Sequence, residues 1–87
     1  MDKAVLRILI RTKLQDGRLP VNNVPRLWGG PGNGEKCDAC EAIITKDQMV
    51  MEGISLAAGG GRTLQTHSEC FQIWDDERRR FSRARTS

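Results

Sequence analysis

Three cysteines and one histidine carry the clearest chemistry in this sequence. Two residues lie between Cys37 and Cys40, two between His67 and Cys70, and 26 between the pairs. These are all of the cysteines and the only histidine in the chain. Three thiolates and one imidazole are a standard tetrahedral donor set for structural zinc. Two residues between cysteines let one tight turn aim both sulfurs at one ion, with the amides of residues 39–41 placed to donate to those sulfurs. His67 and Cys70 are read as three positions apart in the first turn of the final helix, so both side chains share a face, and the helix N-terminus favours the thiolate of Cys70. Four protein ligands close the coordination sphere and leave no position for water or substrate, so the expected zinc is structural. Iron also enters thiolate-rich tetrahedral sites. The alternatives to a metal are a Cys37–Cys40 redox disulfide or three buried thiols.

A chain of 87 residues is one small domain, and with 38% apolar and 5% aromatic residues and nine glycines its core is thin. Such chains need a staple. Three cysteines cannot all pair within one chain, and their spacing does not resemble a secreted disulfide framework, so a metal is the better staple. Reduced thiols imply a reducing compartment, and a cytoplasmic protein is expected. Residues 4–10 are apolar but interrupted by Arg7, with no cleavage signal after them, so no leader is read and the whole chain is taken as the mature protein. No apolar run approaches the roughly 20 residues that cross a bilayer, so no membrane role is expected.

The elements that must position the ligands come next. Asp2 is placed to cap a helix over residues 2–16, with Gly17 and Pro20 as stop signals. Lys3, Arg7 and Arg11 form a basic stripe on that helix, and Ala4, Val5, Leu6, Ile8, Leu9 and Ile10 fill most of the remaining circumference. A strand is the competing reading, since Ala4, Leu6, Ile8, Ile10 and Leu14 all fall on even positions. Residues 17–36 hold three prolines and a glycine-rich run, and read as a loop pinned to the core by Trp28. Residues 49–57 and 62–66 read as a hairpin around Gly59–Gly61, with Gly53 as a bulge. Thr66 and Glu69 form a capping box, and Phe71, Ile73, Trp74 and Phe81 then recur at helical spacing. Asp75/Arg79 and Asp76/Arg80 are one turn apart. Residues 82–87 read as a flexible polar tail. The expected architecture is α+β: an N-terminal helix packed on a zinc module over residues 37–81. The expected core is Phe71, Trp74, Ile43, Ile54, Leu56 and Leu64, closed by Leu6, Leu9 and Ile10.

The order of knuckle, hairpin and helix that presents Cys37, Cys40, His67 and Cys70 resembles treble-clef zinc fingers, and is similar to the first zinc module of LIM domains. The resemblance covers residue 37 to about residue 81 and implies a structural zinc fold. The gap between ligand pairs is longer than in that module, and no second zinc module follows. The wider pattern GRLP…WGGPGNGEKCDAC…HSECFQIW also resembles small bacterial proteins of unknown function, which implies a bacterial source and no particular activity.

Other chemistry is weaker. Gly29-x4-Gly34 followed by Glu35 and Lys36 has the outline of a phosphate loop, but the lysine is one place late, no Ser/Thr follows it, and a cysteine pair stands where a helix belongs. His67 and Cys70 acting as base and nucleophile would need a metal-free histidine and an orienting third group. Arg78, Arg79, Arg80 and Arg83 could touch phosphates, although interleaved acids make a solvated face the simpler reading. Net charge is +3, made of seven Lys/Arg against three acids in residues 1–36, two against five in 37–70, and five against three in 71–87. This is a mild balance. Three functional classes stay open: a non-enzymatic module for a protein partner, a nucleic-acid binder using the basic helices, and a redox or metal sensor. No enzyme is expected.

Overall fold

The computed structural model describes residues 2–21, 26–55 and 62–86. Helix α1 spans Lys3–Gln15. The segment has no glycine or proline, and Leu6, Ile10, Lys13 and Leu14 fall on one buried stripe at three- and four-residue spacing. The helical period therefore prevails over the even-position alternation. The Asp2 side chain makes no capping bond. Its contribution is the backbone carbonyl, which accepts from the Leu6 amide at 2.9 Å. Just past the helix, Gly17 takes a positive φ of 83°, the left-handed conformation that glycine adopts without strain.

The stretch expected as a loop over 17–36 contains two strands, β1 (Arg26–Pro31) and β2 (Glu35–Lys36). β1 is the outer strand of an antiparallel sheet ordered β1-β4-β5, with β4 spanning Met49–Ser55 and β5 spanning Arg62–His67. Glycine and a terminal proline signal a loop in sequence, yet an edge strand tolerates both. Trp28 does not pin this segment to the core. It stands on β1 opposite Glu52 and is 46% exposed. Gly53 forms no bulge, because the register runs unbroken through Leu27, Gly53 and Leu64. The hairpin turn expected at Gly59–Gly61 lies outside the described residues. A second, two-stranded sheet pairs β2 with β3 (Ile43–Ile44).

Helix α2 spans Ser68–Thr86, so residues 82–86 of the expected polar tail continue the helix, and residue 87 lies outside the described residues. The capping box does not form. Pairing of Val50 with His67 and of Met51 with Thr66 keeps both Thr66 and His67 in β5, and the helix starts after them. Among the described residues Thr66 Oγ1 is buried without a hydrogen-bond partner, and Glu69 instead faces Lys3 at 3.6 Å.

The two helices and the sheet enclose a core of Leu6, Ile10, Leu14, Leu19, Ile44, Val50, Leu64, Ile73 and Trp74 beside Cys37, Ala39 and Cys70. Trp74 donates its ring N–H to the Pro20 carbonyl at 3.0 Å and meets Phe71 edge to face at 5.6 Å. Phe71 packs against this core from its edge. Leu9 and Ile54 are only partly buried, and Leu56 lies outside the described residues. Ile43 is 54% exposed while its neighbour Ile44 is fully buried, because adjacent strand residues face opposite sides. The two helices are also clasped by charge. Arg7 reaches Asp76 at 2.8 Å and Glu77 at 3.4 Å, and Arg11 reaches Glu77 at 2.6 Å. Glu77 is buried, so its charge depends on these partners. Among the described residues no helix is long and apolar enough to cross a membrane.

Helix α1 is not covered all round: Ile8 is 62% exposed and Ile10 is 0% exposed. Ile10→Ala is expected to lower stability by about 2–5 kcal/mol, and Ile8→Ala by less than about 0.5 kcal/mol. Denaturant titration of the two variants checks the rotation of α1, and equal losses would contradict it.

Candidate metal centre

The first ligand pair sits in the turn between β2 and β3. The Cys37 amide donates to the Ala42 carbonyl at 2.9 Å, the Glu41 amide to the Cys37 carbonyl at 2.9 Å, and the Cys40 amide to the Cys37 sulfur at 3.4 Å. Asp38 then fastens the turn to β5. Its amide donates to the Gln65 carbonyl at 2.8 Å, and its Oδ2 accepts from the Gln65 amide at 2.8 Å. Gly32 lets the preceding chain cross β3 closely, since a Cβ there would collide with the Thr45 carbonyl and Ile44. The second pair comes from one junction: His67 ends β5, and Cys70 lies in the first turn of α2.

The ligand atoms of Cys37, Cys40, His67 and Cys70 all lie within 4.8 Å of one another, close enough to hold one metal ion. The three cysteines are free thiols, with Cys37 and Cys70 buried and Cys40 half-buried. The His67 Nδ1 lies 3.4 Å from the Cys40 sulfur and 3.8 Å from the Cys70 sulfur. Its other ring nitrogen, Nε2, is 3.1 Å from Gln48 Oε1, which also accepts from the Thr45 amide at 3.0 Å. An oxygen can only accept, so Nε2 carries the proton and Nδ1 offers its lone pair to the metal position. This is how outer partners fix a ligating histidine.

Without metal, the thiols share protons unequally. Cys37 is pushed down to about 4, first by the hydrogen bond from the Cys70 thiol and then by the amides of Cys40, His67 and Ala39, against the opposing effect of burial. Cys70 is raised, chiefly because it donates to Cys37, and Cys40 is raised chiefly by burial. One thiolate is thus prepared while two thiols keep their protons until a cation displaces them.

Lys13 arrives from α1. Its ammonium is buried, donating to the Ala39 carbonyl at 2.9 Å and the Asp38 carbonyl at 3.1 Å, and lies 3.4 Å from Glu41 Oε2. Lys13 in turn holds the Glu41 carboxyl below the usual carboxylate range, with help from Lys36. The Cys40 and His67 side of the cluster opens onto a cleft of about 430 Å³ whose walls include Leu6, Gln48, Met49 and Glu69.

Sequence reasoning found the four donors but missed Gln48, Lys13 and Asp38. Lys13 left a signal, since it continues the buried stripe of Leu6, Ile10 and Leu14. The contacts of Gln48 and Asp38 cross 19 and 27 residues and left none. Three of the four arginines considered for phosphate contact are tied to acids of their own helix. Arg78 pairs with Asp75, Arg79 with Asp75 at 3.2 Å, and Arg80 with Asp76 at 3.2 Å. The Arg83 side chain lies outside the described residues. The stripe of Lys3, Arg7 and Arg11 faces Glu69, Asp76 and Glu77. Gly29–Gly34 runs from β1 into the turn before β2, with no helix after it.

No protein-family model matches this chain, and neither does any curated protein or solved structure.

Gln48→Leu removes the acceptor that orients His67 and is expected to weaken metal binding about ten-fold, measured by competition with a coloured chelator. An unchanged affinity would dismiss the role of Gln48. The sign of the pH dependence also follows. Metal must expel at least the protons of Cys40 and Cys70, so affinity falls as pH falls, by about a hundred-fold per pH unit for two protons. Competition at two pH values one unit apart reads this directly.

Proposed function

We propose that this chain is a non-enzymatic interaction module whose fold is held by one structural zinc ion in a treble-clef arrangement. The observation that carries this reading is the convergence of three sulfurs and one imidazole nitrogen within 4.8 Å, with every donor supplied by the protein. A closed tetrahedral set of this composition suits zinc and leaves no place for a substrate. The order of turn, antiparallel pair and helix supports the treble-clef comparison. Free thiols at such a site fit a reducing compartment such as the cytoplasm.

A protein partner fits the exposed surface better than nucleic acid does. The cationic side chains of α1 and the described part of α2 are engaged with carboxylates. Among the described residues the large exposed apolar side chains are Val5 and Ile8 on α1, Leu27 and Trp28 on β1, Ile43 on β3 and Met49 on β4. Tryptophan and methionine are side chains that protein interfaces favour.

Native mass spectrometry before and after acid denaturation tests the metal reading. One zinc per folded chain, lost on unfolding, is expected. Because metal-binding energy in small zinc domains is largely folding energy, chelation is expected to collapse the amide dispersion of residues 37–81 in NMR spectra. A metal-free chain that keeps its dispersion would refute the structural role.

A further inference from the structure

We infer that Lys13 is the built-in counter-ion of the metal centre, and that through it docking of α1 and loading of the metal form one linked equilibrium. The inference rests on the structural-metal reading above. A buried ammonium is unfavourable unless its charge and its three donors are satisfied. Lys13 is only 3% exposed and spends those donors on the turn that carries Cys37 and Cys40: the carbonyls of Asp38 and Ala39 and the carboxylate of Glu41. Glu41 is itself exposed and is shared with Lys36 at 3.7 Å. Three thiolates on a divalent ion leave one net negative charge at the metal, and Lys13 sets a positive charge against the turn that holds two of them.

The contact also has a directional effect. The Ala39 carbonyl and the Cys40 amide belong to one peptide group, and no peptide in the described residues is cis. In a trans peptide these two groups point in opposite directions. Drawing the Ala39 oxygen toward Lys13 at 2.9 Å therefore turns the Cys40 N–H toward the Cys37 sulfur, where it is found at 3.4 Å. An amide aimed at a sulfur stabilises the thiolate that a metal needs. Helix α1 reaches the other side of the cluster too, since Leu6 walls the cleft that borders Cys40, His67 and Cys70. One face of one helix thus orients the ligand turn and shields the ligand set. Linkage makes the effect reciprocal: lifting α1 weakens metal binding, and losing metal loosens α1.

The test uses the full chain with Lys13→Met, which keeps the stem and removes the charge, and Lys13→Arg, which restores it. Lys13→Met is expected to bind zinc at least about ten-fold more weakly in chelator competition, while its cobalt complex keeps the absorption bands of a tetrahedral thiolate site. Lys13→Arg is expected to recover most of the loss. Hydrogen exchange on the wild-type chain adds a reading that does not depend on either variant folding: α1 amides should be protected with zinc and lose protection with chelator. Lys13→Met binding within about two-fold of wild type, Lys13→Arg no better than Lys13→Met, or α1 amides that stay protected without metal would each overturn the inference. A wild-type chain that takes up no zinc overturns the metal reading as well, whereas zinc uptake by wild type with unchanged affinity in Lys13→Met overturns the role of Lys13 alone.

Discussion

Four donor atoms from two segments that lie 26 residues apart in sequence must meet at one point, and most of the molecule is arranged around that requirement. A turn, a strand end and a helix start cannot be brought together by local preference, because each ligand pair is satisfied locally wherever it sits. What joins them is β5. It carries His67 at its end, runs directly into the helix turn holding Cys70, and receives the Cys37–Cys40 turn through the paired bonds between Asp38 and Gln65. The sulfurs and the imidazole are positioned by backbone pairing, and a bound metal would lock the geometry that this pairing sets. In a chain this small, where apolar burial alone leaves little margin, that division of labour explains why buried Cys37 and Cys70 sit in continuity with Leu64, Ile73 and Trp74.

A second layer keeps the donors in the right chemical state. Gln48 fixes which imidazole nitrogen faces the sulfurs, Lys13 sets the orientation of the peptide between Ala39 and Cys40, and the Cys70 thiol helps to hold Cys37 as a thiolate. These partners come from α1, from the turn before β4 and from α2, so the chemistry of the site is spread over the whole fold. The electrostatic clasp of Arg7 and Arg11 on Asp76 and buried Glu77 belongs to the same design. It ties α1 to α2, and Lys13 of the same helix reaches the ligand turn.

The sequence displayed some of this and hid the rest, for physical reasons. The donors were visible because metal chemistry restricts residue type and spacing so tightly. The helices were visible because 13 and 19 residues give the period room to show. β1 was hidden because its glycines and proline carry the composition of a loop, while its existence depends on β4, which follows it by a long stretch of chain. The Thr66–Glu69 capping box misled because a local signal competed with pairing to Val50 and Met51, and the sheet won. Ile43 and Ile44 are equivalent in composition, and only strand register decides which one is buried. The role of Lys13 was hidden because lysine is rarely buried without a partner, and its closest partners are the backbone carbonyls of Asp38 and Ala39, which no sequence displays.

The charge distribution carries the last step. Net charge of +3 invites a search for phosphate ligands, but a net charge is a field only where the cations are free. Arg7 and Arg11 close on α2, and Arg79 and Arg80 close on Asp75 and Asp76 one turn back. Arg7 beside Asp76 holds that carboxyl below the usual carboxylate range. With these cations paired to carboxylates within α2 or between α1 and α2, the exposed apolar side chains stand out on the described surface. Leu27 and Trp28 stand on an edge strand, and Val5 and Ile8 stand on the outward side of the helix whose inward side holds the ligand turn. A contact made on the outer face of α1 would bear on the same helix whose Lys13 holds the ligand turn. In a fold this small, the exposed apolar side of α1 and the Cys/His donor cluster are separated by the width of one helix.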